Sequence, residues 1–94
     1  MINSSFNILV RVYGRVQGVG FRAWIKKNAD KLQLTGWVKN CEDKTVECEV
    51  SGEEKDLDIF LKECKKGPLL SKVEKISLKK NSFKKFNDFT IYYK

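Results

Sequence analysis

The chain has 94 residues, a length that fits one domain with a single hydrophobic core and excludes a multi-domain protein. Its composition, 41% hydrophobic and 12% aromatic, is typical of a folded globular domain and excludes a disordered or collagen-like chain. The net charge of +7 predicts a surface that attracts anions, whether nucleic acid, acidic lipid or a phosphorylated metabolite. We expect residues 1–94 to form one domain.

The first half of the chain predicts a strand, a helix and a hairpin. Apolar residues alternate with more polar ones over residues 6–13, which is the period of a strand buried mainly on one face. From residue 21 to residue 33 they recur at helical spacing and predict an amphipathic helix. Residues 34–40 and 44–51 are predicted to be two antiparallel strands, joined by a short polar link.

The second half predicts another helix and two more strands. Glu53 and Glu54 suit the first turn of a helix, and Gly67 marks its end. Strands are predicted over residues 72–80 and 85–93; the apolar spacing of the former slips once, which indicates a bulge or an edge strand. This βαββαβ order with one more strand predicts a ferredoxin-like α+β sandwich, with two helices on one face of an antiparallel sheet.

The most informative segment is the motif GRVQGVGFR at residues 14–22, where the first strand ends and the helix begins. No Ser, Thr, Asp or Asn stands before the helix to cap its unpaired amides. Arg22 lies in the first turn, where a cation opposes the positive end of the helix dipole. A flexible turn with Arg22 in solvent is the alternative, but a bound phosphate or sulfate would remedy both faults, so we predict an anion site here.

Other residue types restrict the chemistry that the chain can perform. There is no histidine, which excludes Ser-His-Asp and Cys-His units as well as histidine-based metal catalysis. The three cysteines, Cys41, Cys48 and Cys64, support neither a disulfide framework nor a zinc site. The carboxylates of the predicted hairpin are expected to be solvated charges. We therefore predict no metal site.

An anion site with only polar groups around it suits substrates that carry a good leaving group. In an acyl phosphate the leaving group is a carboxylate, whose conjugate acid has a pKa of about 4, so it departs at neutral pH without a proton from the enzyme. Phosphoryl transfer then requires positioning, charge stabilisation and an oriented water. Backbone amides, an arginine and a side-chain amide can supply all three.

Two motifs carry a resemblance to a known family. The GRVQGVGFR segment, followed by Gly36-Trp37-Val38-Lys39-Asn40, resembles the paired signatures of the acylphosphatases, and the similarity of element order extends from about Phe6 to Tyr93. The resemblance implies a ferredoxin-like fold, hydrolysis of carboxyl–phosphate bonds and no cofactor.

The resemblance also implies roles for individual residues. Arg22 is expected to bind the phosphate, and Asn40 to hold the attacking water. A turn asparagine that caps the hairpin is the alternative for Asn40, but its place directly after the GWVK segment favours the catalytic role. The amides of the 15–20 loop are expected to surround the phosphoryl oxygens; this loop comprises Arg15, Val16, Gln17, Gly18, Val19 and Gly20.

Lys44 departs from the family pattern, which usually has a glycine there. We therefore predict that the hairpin has a different turn type or places a residue at positive φ with some strain. The side chain of Lys44 is expected to be an ordinary exposed lysine, with proximity to the anion site as the alternative. Trp24 and Trp37 are expected to pack in the core, although Trp37 could instead shape the site near Asn40.

Two other functions remain open at this stage. RNA-recognition domains share the element order, but they need aromatic residues on the open face of the sheet, and residues 44–50 offer none and carry Glu47 and Glu49. A non-catalytic anion sensor would keep the 15–20 loop but needs no Asn40.

The expected partners and location follow from the same features. We expect an acyl phosphate as substrate, inorganic phosphate as product and inhibitor, and no nucleic acid. No apolar run reaches the length of a membrane span, and residues 1–7 have no signal-peptide pattern. Together with the cysteines, which form no disulfide framework, this predicts a cytoplasmic protein that does not bind membranes. We also expect a monomer, although the sequence itself does not determine the oligomeric state.

Overall fold

A computed structural model describes residues 4–93 of the chain. It contains two helices and five strands, and each lies close to the position that the apolar periodicity predicts. In chain order the elements are β1 (Ser5–Arg15), α1 (Phe21–Lys31), β2 (Thr35–Asn40), β3 (Val46–Glu53), α2 (Glu54–Lys66), β4 (Lys72–Ser82) and β5 (Phe89–Tyr92).

The strands form one sheet in the order β4-β1-β3-β2-β5. β1 pairs antiparallel with β3 and with β4, and β2 pairs antiparallel with β3. β5 instead runs parallel to β2, so the sheet is mixed and not wholly antiparallel as expected. β5 is parallel because the chain crosses the sheet after β4. It leaves the edge formed by β4, passes to the opposite edge and there runs in the same direction as β2. The ferredoxin-like α+β fold is confirmed.

This topology brings the C-terminal ends of three strands to the same end of the sheet, across the strand direction. β1 ends at Arg15, β2 at Asn40 and β5 at Tyr92, and these three strands run in the same direction. α1 begins six residues after β1 ends, so its first turn lies at that end as well. The fold therefore places the start of α1, Asn40 and the end of β5 side by side.

Both helices pack on one face of the sheet and bury an apolar stripe against it. α1 buries Phe21, Ile25 and Ala29. α2 buries Leu57, Phe60 and Cys64. The sheet contributes mainly valines, among them Val10, Val12, Val38, Val46 and Val50, and the result is one continuous core.

Of the two C-terminal strands, β4 matches the predicted irregularity and β5 is shorter than predicted. The slip in apolar spacing over residues 72–80 belongs to an edge strand whose register shifts opposite Tyr13 and Gly14, which confirms the predicted irregularity. The last strand was predicted over residues 85–93 but spans only Phe89–Tyr92, because the preceding residues cross to the other edge of the sheet. Within residues 4–93, no helix has the length and apolarity that a membrane span needs.

Neither tryptophan belongs to the core, so the expectation for both was wrong. Trp24 is half-buried at the helix pair, where its indole N–H donates to the Glu63 carbonyl of α2 at 2.9 Å. Trp37 lies on the open face, 6.0 Å from the Tyr92 ring, and donates to the Glu49 carboxylate at 2.9 Å. An indole N–H needs an acceptor when it is covered, and the apolar core offers none.

Candidate active site

The 15–20 loop turns sharply between β1 and α1, and three glycines allow it. Gly14 has φ of 129°, and a Cβ there would collide with the backbone carbonyl of Lys72 on β4. Gly18 and Gly20 have φ of 73° and 79°, in the left-handed region that other residues rarely adopt. Val16 is fully buried between them and anchors the loop to the core. The loop is therefore a fixed turn and not a flexible connection.

α1 begins at this turn without a side-chain cap. Gly20 occupies the cap position, no side chain bonds to the first amides, and the first turn holds no acidic residue. The first helical hydrogen bond runs from the Trp24 amide to the Gly20 carbonyl at 3.0 Å. The amides of residues 17–23 donate to no acceptor in the described part of the chain. Seven consecutive backbone N–H groups, in the loop and in the first turn at the positive end of α1, are thus free to donate to a ligand.

Arg22 lies in the first turn of α1 and is held by the end of β5. Its Nη1 donates to the Tyr92 carbonyl at 3.2 Å, and its guanidinium carbon lies 4.8 Å from the centre of the Tyr93 ring. The other guanidinium nitrogens have no hydrogen-bond partner among residues 4–93. Arg22 therefore has a fixed orientation and retains donors for a ligand.

Asn40 lies at the end of β2, opposite Val46 of β3. Its side-chain amide makes no hydrogen bond within the described chain, so it does not cap the hairpin. Asn40 and Arg22 instead line the same pocket, of about 160 Å³. The full lining is Val16, Gly18, Gly20, Phe21, Arg22, Ala23, Asn40, Ile91 and Tyr93.

The side chain of Gln17 has a function that the sequence did not reveal. Its Nε2 leaves the 15–20 loop and donates to two backbone carbonyls of the hairpin, Cys41 at 2.8 Å and Thr45 at 2.9 Å. It thereby joins the loop to the turn that follows Asn40. No local sequence signal indicated this contact, because Gln17 and Cys41 are 24 residues apart.

The remaining residues of the 15–20 loop differ in their surroundings. Arg15 is exposed and stands opposite Lys72 of β4. Val19 is half-buried and packs against the core. Of the predicted set, Val16, Gly18, Gly20, Arg22 and Asn40 meet at one pocket, whereas Arg15, Gln17 and Val19 are not among its lining residues.

The β2–β3 turn contains Lys44 at φ of 76°, which is the second of the two alternatives predicted from the missing glycine. Lys44 is exposed, and Asp43 beside it accepts hydrogen bonds from the amide and the hydroxyl of Thr45. These bonds, followed by the nearby Arg11 guanidinium, hold the pKa of the Asp43 carboxyl below its ordinary value of 3.8. The turn is therefore stabilised by an ionised Asp43 at neutral pH.

The other reactive groups lie away from the pocket or are inert. Burial raises the pKa of the Cys48 thiol well above its ordinary value and that of Cys64 to about 12. Neither thiol is a nucleophile at neutral pH. Across residues 4–93, no three acidic or cysteine side chains form a group suited to a metal ion.

The open face of the sheet does not provide the platform that an RNA-recognition domain needs. Its central strand β3 presents Glu47 and Glu49 at the positions where bases would stack. Both carboxylates are engaged, Glu47 with Arg11 at 2.9 Å and Glu49 with Trp37 at 2.9 Å. The aromatic residues Trp37 and Tyr92 are confined to the β2–β5 side.

The fold and the pocket define an α+β sandwich in which an uncapped helix start, Arg22 and Asn40 line one pocket. Comparison with known proteins makes this class specific. The family model for acylphosphatases matches residues 8–91. An acylphosphatase of Clostridium acetobutylicum is 54% identical over 72 residues, which are 77% of this chain and 79% of that protein.

Solved structures agree with this result. The crystal structure of acylphosphatase from Bacillus subtilis has a TM-score of 0.91 and 42% identity, and the match covers 94% of this chain and 99% of that one. An acylphosphatase structure from Coxiella burnetii has a TM-score of 0.90 and 35% identity, over 95% and 94% of the two chains. The chain belongs to the acylphosphatase family, and the predicted enzyme class is confirmed.

Proposed function

We propose that this chain hydrolyses the carboxyl–phosphate bond of acyl phosphates at the pocket between α1, β2 and β5. One observation carries the proposal: an uncapped helix start, the guanidinium of Arg22 and the side chain of Asn40 face the same space. A phosphoryl group would accept hydrogen bonds from the amides of the 15–20 loop and of the first turn of α1. Such donors favour a dianion because they are fixed before the ligand arrives.

Arg22 binds the phosphoryl oxygens and stabilises the charge that develops on them. Its position is fixed by the Tyr92 carbonyl and the Tyr93 ring, so little conformational entropy is lost when the substrate binds. The guanidinium matches two oxygens of a phosphate in its plane. This is the electrostatic part of the mechanism.

Asn40 orients the attacking water. The carbonyl oxygen of its side-chain amide accepts a hydrogen bond from the water, whose oxygen then forms the new bond to phosphorus. The bond between phosphorus and the carboxylate oxygen breaks, the carboxylate leaves as an anion, and the proton of the water passes to the phosphate product or the solvent. No group of the enzyme needs to be protonated or deprotonated.

The same site supports the remaining proposals. Inorganic phosphate, the product, occupies the donors that the substrate uses and therefore inhibits competitively. We further propose that the chain works as a single domain and as a monomer, because the pocket is formed by elements of one chain. Its three free cysteines support a location in the reducing cytoplasm. No nucleic acid takes part in the reaction.

The experiment is a steady-state assay of the purified protein on benzoyl phosphate and acetyl phosphate, with p-nitrophenyl phosphate as the phosphomonoester control. We expect hydrolysis of both acyl phosphates, competitive inhibition by phosphate, and unchanged rates in the presence of EDTA. Loss of activity with EDTA would contradict the proposed mechanism. Phosphate binding without any turnover would instead identify an anion sensor.

A further inference from the structure

Arg11 makes a set of contacts that the proposed mechanism does not use. It lies on β1, on the open face of the sheet, and its side chain is 30% exposed. Nη1 donates to the Thr45 hydroxyl at 2.9 Å and to Asp43 Oδ2 at 3.1 Å, and Nη2 donates to Glu47 Oε2 at 2.9 Å. One guanidinium therefore binds the residues on both sides of Lys44.

Lys44 is the residue in this turn that requires such support. Its φ of 76° lies in the left-handed region, where a side chain with a Cβ is disfavoured relative to glycine. A residue in such a conformation persists only when its surroundings hold it there. The bonds from Arg11 to Asp43 and Thr45, together with those from Thr45 to Asp43, provide that support.

The turn is directly connected to Asn40. The Cys41 amide, next to Asn40, donates to the Thr45 carbonyl at 2.9 Å, and the Lys44 amide donates to the Cys41 carbonyl at 3.2 Å. The Gln17 side chain donates to these same two carbonyls, at 2.8 and 2.9 Å. A shift of Thr45 therefore moves both the backbone that carries Asn40 and the acceptors that hold Gln17.

We propose that Arg11 is a positioning residue for the reaction. It holds the strained Lys44 turn, so that the side chain of Asn40 stays where it can orient the attacking water. The proposal rests on the proposed function of Asn40. Arg11 touches no atom of the pocket, so its effect passes through Asp43 and Thr45. In this chain the arginine compensates for the absence of a glycine at position 44.

The first test replaces Arg11 by leucine and measures benzoyl phosphate hydrolysis and phosphate inhibition. We expect kcat to fall about tenfold, since misplacing a group by a fraction of an ångström lowers the rate. The inhibition constant of phosphate should change less than twofold, because the 15–20 loop and Arg22 stay in place. Lys84→Leu is the matched control: it removes another cation of the open face, one that pairs with Glu49 at 3.6 Å, and should leave kcat unchanged.

The second test is rescue by glycine. Lys44→Gly removes the strain, so the double variant Arg11→Leu/Lys44→Gly should recover most of the lost kcat. The free energy of unfolding of each variant is measured beside kcat, because the glycine also stabilises the fold as a whole, and kcat should fall in Arg11→Leu under conditions where that variant is fully folded. If Arg11→Leu does not fold, Asp43→Asn replaces it, because this change weakens the bond to Arg11 and should give a smaller effect of the same kind. A decrease in kcat that Lys44→Gly leaves unchanged would overturn the proposal.

A third measurement separates failure of this proposal from failure of the proposed function. Hydrogen exchange of the Cys41 amide reports on the turn without any substrate, and Arg11→Leu should accelerate it at least about tenfold, with Lys44→Gly restoring the slow rate. An unchanged exchange rate overturns the proposal even if the enzyme is active. A wild-type protein without activity on acyl phosphates contradicts the proposed function and removes the catalytic role of Arg11 with it.

Discussion

The two helices begin in opposite ways, although both pack on the same sheet. α2 begins with Glu54 and carries Asp56 in its first turn, so its own side chains supply negative charge to its positive end. α1 begins with Phe21 and Arg22, has no acidic residue in its first turn, and follows a glycine in the left-handed conformation. Arg22 is unfavourable for the stability of α1, but its positive charge is suited to binding an anionic ligand.

The difference separates structural stability from function within one small domain. α2 has no side-chain cap either, but its Glu54 amide donates to the Ser4 carbonyl at 2.8 Å, and Glu54 and Asp56 place negative charge in its first turn. Its apolar stripe of Leu57, Phe60 and Cys64 completes the core. α1 has no acidic residue and no side-chain cap at its start, and Gly18 and Gly20 precede it at positive φ. Variants can therefore be compared at the same position of each helix. Arg22 and Lys55 are the second residues of α1 and α2, and Ala23 and Asp56 are the third.

The largest effect is expected from Arg22→Ala. Loss of the guanidinium should lower kcat/KM by at least about 10³-fold and abolish phosphate inhibition, because an arginine that stabilises a transferring phosphoryl group contributes on this scale. The comparison variant is Lys55→Ala at the corresponding position of α2, which should stay within twofold of the wild type. If the two variants lowered benzoyl phosphate hydrolysis equally, the start of α1 would have no greater part in catalysis than the start of α2, which would contradict the account.

Asn40→Ala should affect turnover but spare binding. We expect kcat to fall about 10²-fold or more, as when one hydrogen-bonding group is removed from a reaction centre. The phosphate inhibition constant should remain within about threefold of the wild-type value, since the proposed mechanism assigns Asn40 to the water and not to the phosphate. If Asn40→Ala and Arg22→Ala weaken phosphate binding equally, the roles assigned to the two side chains are wrong.

Ala23→Asp gives α1 the acidic residue that Asp56 provides in α2. The new carboxylate should compete with phosphate for the amides and raise the phosphate inhibition constant about tenfold or more. In the absence of phosphate it should raise the free energy of unfolding by about 0.5 kcal/mol through the helix dipole. Ala23→Asn, of the same size without the charge, serves as control; similar effects of both variants would point to steric exclusion.

The smallest effect is expected at α2. Asp56→Asn removes one favourable charge from its first turn and should lower the free energy of unfolding by about 0.5 kcal/mol. Hydrolysis of benzoyl phosphate should not change. Urea unfolding provides the first measurement, and a decrease in kcat would show that α2 also takes part in the site.

The sequence predicted those parts of the site that depend on local backbone chemistry. The missing cap of α1 and the turn after β1 follow from residue types at neighbouring positions. The positive φ of Lys44 was one of two alternatives that the departure from the family pattern suggested. The apolar periodicity likewise indicated every helix and strand, with differences confined to their ends.

Features that depend on long-range contacts were not predicted. The parallel pairing of β5 with β2, and hence the contact of Arg22 with Tyr92 and Tyr93, depends on the direction in which the chain crosses the sheet. The bonds from Gln17 to the hairpin join segments that are distant in sequence. Trp37 was assigned to the core because its residue type favours burial, and only the register shows that it faces outward.

The binding of phosphate to the start of α1 is tested most directly by titrating phosphate into ¹⁵N-labelled protein and following the backbone amides. We expect the largest chemical-shift changes at residues 17–23, where the amides lack acceptors, and small changes at the first turn of α2. The same titration of the Arg22→Ala variant should show no large chemical-shift changes at residues 17–23. Shifts spread over the exposed lysines, with residues 17–23 unaffected, would contradict a phosphate site at this helix.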